Sequence, residues 1–157
     1  MIHSLLHTFR FHLFFLLFTL SLAAQERYPV HVTKIVDGDT FWATDANGQR
    51  IMFRPIGFDC PEKSNFGRPA EPYNHEATTY TSNLIADQTV DVEYDVQTTD
   101  QWGRHLVYVY LSDGRMLNEE ILKAGWAQLA TYPPNIRYVN RFRSALHIAR
   151  EQNKGIW

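Results

Sequence analysis

Short β-rich runs separated by turn residues fill the stretch from residue 32 to residue 56. Val32 to Ile35 and Thr40 to Thr44 are rich in β-branched and aromatic residues, and Asp37-Gly38-Asp39 between them predicts a strand, a sharp corner and a continuing strand. Asp45-Ala46-Asn47-Gly48 reads as a hairpin turn, because Asn-Gly readily takes the positive φ that such turns demand. The returning strand, Arg50 to Ile56, places Ile51, Phe53 and Pro55 on one face and Met52, Arg54 and Ile56 on the other. Lys63 to Pro72 is rich in turn residues and reads as a surface loop. From Asn74 the period changes: Ala77, Tyr80, Leu84 and Ile85 form the buried stripe of a helix that ends at Asp87-Gln88. Val90 to Tyr94 alternates apolar and acidic residues with Val90, Val92 and Tyr94 inward, and Leu106 to Leu111 is a fifth strand. Leu117 to Ala124 is a short helix stopped by Gly125, and a last helix from about Ile136 to Asn153 buries Tyr138, Phe142, Ala145, Leu146 and Ala149. The pattern gives an α+β chain, mainly antiparallel β in its core. Five short strands, the first three contiguous and the last two split off by a helix, suit a small closed barrel.

The N-terminus departs from this globular patterning. Arg10 is the only charged residue before a Phe- and Leu-rich run from Phe11 to Leu20, which is followed by Ser21-Leu22-Ala23-Ala24. Residues 1–24 therefore read as a secretory signal peptide cut after Ala23 or Ala24, with residues 25–157 as a single globular domain. The competing reading, an uncleaved anchor, has only the 14 residues of Phe11 to Ala24, His12 among them, where a span needs ~20. The mature chain is thus expected to be secreted or periplasmic, with no membrane anchor and no stable partner chain. Cys60 is the only cysteine, so no intrachain disulfide is possible and the thiol reads as a small buried side chain. Removing Arg10 from the 15 basic residues leaves 14 against 17 acidic ones, a net charge of −3. That balance argues against a tight, nonspecific nucleic-acid binder, though not against an enzyme that grips a polyanion locally and releases it.

The candidate chemistry centres on Arg54 to Glu62, Arg-Pro-Ile-Gly-Phe-Asp-Cys-Pro-Glu. Arg54 offers a planar fork for phosphate oxygens, and Asp59 and Glu62 offer hard oxygen ligands or a base. Pro61 restrains Cys60 to extended backbone and stiffens the turn that carries these acids. Asp37 and Asp39 add acids on a tight turn, where they act as turn formers or as ligands, and Thr99 to Arg104 adds a second arginine beside a Gly. The histidines outside residues 1–24, His31, His75, His105 and His147, lack zinc-ligand spacing.

Taken in order, Asp39-Thr40, Phe53-Arg54, Asp59 with Pro61-Glu62, Asp100 with Gly103-Arg104, Asp113-Gly114, Leu117-Asn118-Glu119 and Ile156-Trp157 resemble the thermonuclease family, that of staphylococcal nuclease, from about Val32 to Trp157. The resemblance implies a five-stranded OB-fold Greek-key barrel with three packed helices. It implies a calcium-dependent nuclease that hydrolyses phosphodiester bonds of DNA and RNA with little sequence preference; calcium rather than magnesium or manganese rests on the resemblance alone. In that family the positions of Asp39 and Asp59, with the main-chain carbonyl at Cys60, hold the metal; Glu62 matches the proposed general base, and Arg54 and Arg104 match the arginines that grip phosphate. Trp102 and Tyr132 fall where aromatic side chains meet substrate. Two departures stand out: Cys60 replaces a threonine common in relatives, and Trp102 a tyrosine. The alternative reading is a non-catalytic OB-fold nucleic-acid-binding module, although no acid or arginine of the set is missing.

Overall fold

The computed structural model describes residues 25–64 and 67–157; the expected signal peptide, residues 1–24, lies outside the described residues. The chain runs β1 (Tyr28–Asp37), β2 (Thr40–Thr44), β3 (Arg50–Pro55), β4 (Phe58–Asp59), α1 (Asn74–Ile85), β5 (Thr89–Thr99), β6 (His105–Tyr110), α2 (Leu117–Lys123), β7 (Gln128–Leu129) and α3 (Val139–Glu151). Five strands close a barrel in the order β1-β2-β3-β6-β5, with β5 returning to β1. Every neighbouring pair is antiparallel except β3 and β6. This is the OB-fold barrel, with three helices packed on it.

Most differences from the expected elements lie at their ends. β1 begins at Tyr28, four residues before the β-rich run, because Tyr28 to His31 pair with Val92 to Thr89 of β5; only Val30 of that segment faces inward, so it carries no alternation to read. The expected corner after β1 is a full reversal: Asp37 pairs with Thr40, and Gly38-Asp39 form a two-residue turn. Gly38 is required there by space. A Cβ on it would lie 2.7 Å from the Cys60 Sγ and 3.1 Å from the Ala77 Cβ, and the Thr81 hydroxyl donates to the Gly38 carbonyl at 2.7 Å. Two register shifts in β1, between Val32 and Lys34 and between Ile35 and Asp37, bend the strand into that turn. A further short ladder, β4 with β7, was not legible: its two strands have two residues each, too short for a periodic signal. α3 starts at Val139 instead of Ile136.

The core has two parts. Inside the barrel pack Val32, Phe41, Phe53, Val92, Val107 and Leu117, with the Phe41 and Phe53 rings stacked at 5.5 Å. Between barrel and helices pack Phe58, Ala77, Tyr108, Met116, Ile121 and Phe142. β6 lies between them, with Val107 and Val109 in the barrel and Tyr108 and Tyr110 on the helix side, while on β3 Phe53 points into the barrel and Arg54 points the other way.

The alternation in β5 sets Glu93 opposite Val92, the side expected to meet solvent, yet Glu93 is fully buried because Arg137 and Tyr138, just before α3, cover it. Arg137 Nη1 reaches Glu93 Oε1 at 2.6 Å, and the hydroxyls of Tyr110 and Tyr138 donate to it at 2.8 and 2.9 Å. A buried carboxylate is tolerable only when its lone pairs are so occupied. Glu93→Ala would leave the Tyr110 and Tyr138 hydroxyls without their carboxylate acceptor and take from Arg137 one of its two acidic partners, Asp95 at 3.1 Å remaining, so urea denaturation should show a loss of about 3 kcal/mol, against a smaller loss for Glu93→Gln.

Candidate active site

Arg54 leaves β3 on the face away from the barrel interior, and its side chain is 13% exposed. Its guanidinium pairs with the carboxylates of both Asp39 and Asp59, and Nη1 also donates to the Asp39 carbonyl at 3.1 Å. Asp39 is itself buried. Its Oδ1 accepts from the Thr40 hydroxyl at 3.2 Å and its Oδ2 from the Cys60 N–H at 2.8 Å. One carboxylate thus joins the β1–β2 turn to the chain after β4, and the guanidinium holds together two acids that would otherwise repel. Asp59, 48% exposed, opens toward solvent. Asp37, left outside the direct ligand set, lies behind this pair: its Oδ1 accepts from the Asp39 N–H at 3.3 Å, and burial pushes its carboxyl above the usual carboxylate range.

Arg104 is fixed by a different device. Asp100 and Arg104 sit across a tight turn in which Gly103 takes φ +77° and donates to the Asp100 carbonyl at 3.1 Å. Asp100 Oδ1 accepts from the main-chain N–H groups of Trp102 and Arg104 at 2.9 and 3.0 Å, and Oδ2 accepts from Arg104 Nε at 2.7 Å. The guanidinium, held through Nε, lies 5.0 Å from the centre of the Trp102 ring. Among the described residues no hydrogen bond or ion pair involves the Nη atoms of its forked end.

A cavity of about 560 Å³ brings Arg54, Asp59, Glu62, Trp102, Arg104 and Tyr132 to one surface. Trp102 and Tyr132 are each 71% exposed, so two aromatic faces stand at its rim. The Tyr132 wall is anchored by Asn135, which accepts from the Gln97 N–H at 2.8 Å and donates to the Gln97 carbonyl at 2.9 Å, as a neighbouring strand would. Asp39 and Cys60 do not line the cavity but adjoin it through Arg54 and the Asp39–Cys60 hydrogen bond. The Cys60 side chain is buried against Gly38, and burial pushes its thiol up, which fits packing and not nucleophilic chemistry.

The donors at hand for a metal are carboxylate oxygens, a hard set that fits a cation of the calcium, magnesium or manganese kind. Among the described residues no three His, Cys, Asp or Glu side chains gather into a metal-ligating cluster. A cation at Asp39 and Asp59 would therefore need its remaining ligands from main-chain oxygen, water or substrate.

Two residues that shape the cavity, Asn135 and Gln97, had no signal in the sequence, while Asp100 was named only as part of the family-like pattern. Asn135 and Gln97 carry no motif, and their pairing joins segments 38 residues apart. Asp100 had a signal, an acid four residues before an arginine with Gly between, that marks the turn but not the side-chain grip.

The barrel, the helices and this cluster of acids and arginines on one cavity define a nuclease-like OB-fold domain, and sequence comparison supplies the family. Residues 52–157 match the family described as staphylococcal nuclease homologue, and the chain belongs to it. It is 38% identical over 138 residues to the thermonuclease of Staphylococcus hyicus, covering 88% of this chain and 79% of the relative. It is 36% identical over 126 residues to the thermonuclease of Staphylococcus intermedius, covering 80% and 74%. Endonuclease YncB of Bacillus subtilis is 32% identical over 137 residues, covering 85% of this chain and 64% of that protein.

Burial raises the Asp100 carboxyl, but the hydrogen bonds from the Arg104 side chain and from the Arg104 and Trp102 N–H groups outweigh it, so it titrates below the usual carboxylate range. A carboxyl depressed on folding contributes stability that is present above its unfolded value of ~3.9 and is lost as pH falls through the folded one. Asp100→Asn should be less stable than the parent by about 1 kcal/mol at pH 7 in chemical denaturation, with the difference shrinking below pH ~4.

Proposed function

We propose that the chain is an exported nuclease that hydrolyses phosphodiester bonds of DNA and RNA with low sequence specificity and depends on a divalent cation, calcium by family likeness. The observation that carries this reading is the convergence of Arg54, Asp59, Glu62 and Arg104, from separate segments, on one solvent-open cavity. The names of the relatives, thermonucleases and an endonuclease, support the activity. Export rests on the signal-like residues 1–24.

The residues divide the work as follows. The Arg104 fork and the outer edge of Arg54 bind the non-bridging oxygens of the scissile phosphate, and their charge counts most when the phosphorus gains a fifth oxygen. Glu62, exposed at the cavity, orients a water molecule and takes its proton as the oxygen attacks phosphorus; the ester P–O bond on the far side breaks, and the leaving oxygen takes up a proton. No covalent enzyme intermediate forms. Asp39 and Asp59, with the Cys60 carbonyl, would hold the cation, which neutralises phosphate charge when bound. Trp102 and Tyr132 offer ring faces to bases, a contact that every base can make and that confers little sequence preference.

The purified chain should degrade both plasmid DNA and RNA with calcium and stop when a chelator is added. Glu62→Gln should lose ~100-fold or more in kcat while remaining folded, and Arg104→Ala a similar amount. Full activity in both variants contradicts these roles. The binding-module reading predicts instead that oligonucleotide is retained uncut with every divalent ion.

A further inference from the structure

Glu62 sits on an exposed stretch of chain, where a side chain ordinarily wanders through several positions. A general base works only when its carboxylate is held within hydrogen-bond reach of the attacking water. What holds it is visible in the main chain around it. Cys60 N–H donates to Asp39 at 2.8 Å, and the Pro61 carbonyl accepts from the Asn74 Nδ2 at 2.7 Å. The Glu62 carbonyl accepts from the Glu71 N–H at 2.9 Å, and the Glu62 N–H donates to the Glu71 Oε2 at 3.0 Å. Glu71 thus occupies both polar groups of the Glu62 backbone, its side-chain carboxylate standing where a partner strand's carbonyl would be. It is anchored in turn at the start of α1, where Asn74 N–H donates to the Glu71 carbonyl at 3.2 Å.

We propose that Glu71 is a positioning residue for catalysis: by clamping both backbone groups of Glu62 it fixes the direction in which the Glu62 side chain enters the cavity, with Asn74 as its support. The inference rests on the assignment of Glu62 as the base. The negative charge of Glu71 strengthens the bond to the N–H, since charge-assisted bonds are about twice as strong as neutral ones. Exposure keeps its effect on overall stability small.

The test is steady-state kinetics with calcium on Glu71→Ala, Glu71→Gln, Glu62→Gln and the Glu62→Gln/Glu71→Ala pair, each checked by thermal melting. Glu71→Ala should lose about tenfold in kcat with KM within about twofold and an unchanged melting temperature. Glu71→Gln keeps an oxygen acceptor at the same place and should recover most of that loss. In the Glu62→Gln background, Glu71→Ala should cost nothing further, because the side chain it positions no longer acts. Parental kcat in Glu71→Ala, a change confined to KM, no rescue by Gln, or an undiminished effect in the Glu62→Gln background each overturns the positioning role while leaving the base assignment standing. Full activity of Glu62→Gln overturns the base assignment and the positioning role together.

Discussion

The site depends on the Arg54 guanidinium between two carboxylates. Asp39 and Asp59 come from different turns, and without a cation between them their charges oppose each other in a partly dry setting. Arg54 offsets that repulsion, and Asp39 passes the restraint on by accepting the Cys60 N–H. The β1–β2 turn, the end of β3 and the chain after β4 are therefore locked to one another through a few polar bonds. The same guanidinium lines the cavity, so the group that holds the acids together is also within reach of the proposed anionic ligand.

The barrel makes this arrangement possible by being rigid on one face and irregular on the other. Phe53 and Ile51 pack on the inward side of β3 and so fix where Arg54 leaves the strand. Gly38, with no room for a Cβ, lets the β1–β2 turn approach Cys60 and α1 closely enough for Asp39 to reach its partners. Arg104 follows β5, whose own inward residues Val90 and Val92 are in the barrel core. Arg54 thus sits on a well-packed strand, while Asp39, Glu62 and Arg104 sit on the turns and chain that adjoin strands. Precision comes from the packing, and access from the turns.

Much of this was legible in the sequence because the signals were periodic or dense. Alternation in Arg50 to Ile56 correctly separated Arg54 from Phe53, and the stripe from Ala77 to Ile85 identified α1. The cluster of acids and arginines was found from their order along the chain and the family likeness. What escaped notice was non-periodic or non-local. Glu93 obeys the alternation yet is buried, because a segment more than forty residues later covers it. Asn135 and Glu71 hold the backbone groups of distant residues through their side chains, and an Asn or a Glu in a polar loop looks the same in sequence whether it clamps a strand or faces water. β4 and β7 are too short for any pattern.

If Arg54 holds Asp39 and Asp59 together by charge, it also competes with any cation for them. Calcium titration by calorimetry on the folded Arg54→Met variant and the parent measures this directly. The account predicts tighter calcium binding in the variant, by roughly tenfold, because two carboxylates lose their positive partner. Calcium affinity that is unchanged or weaker in a folded Arg54→Met protein would contradict it.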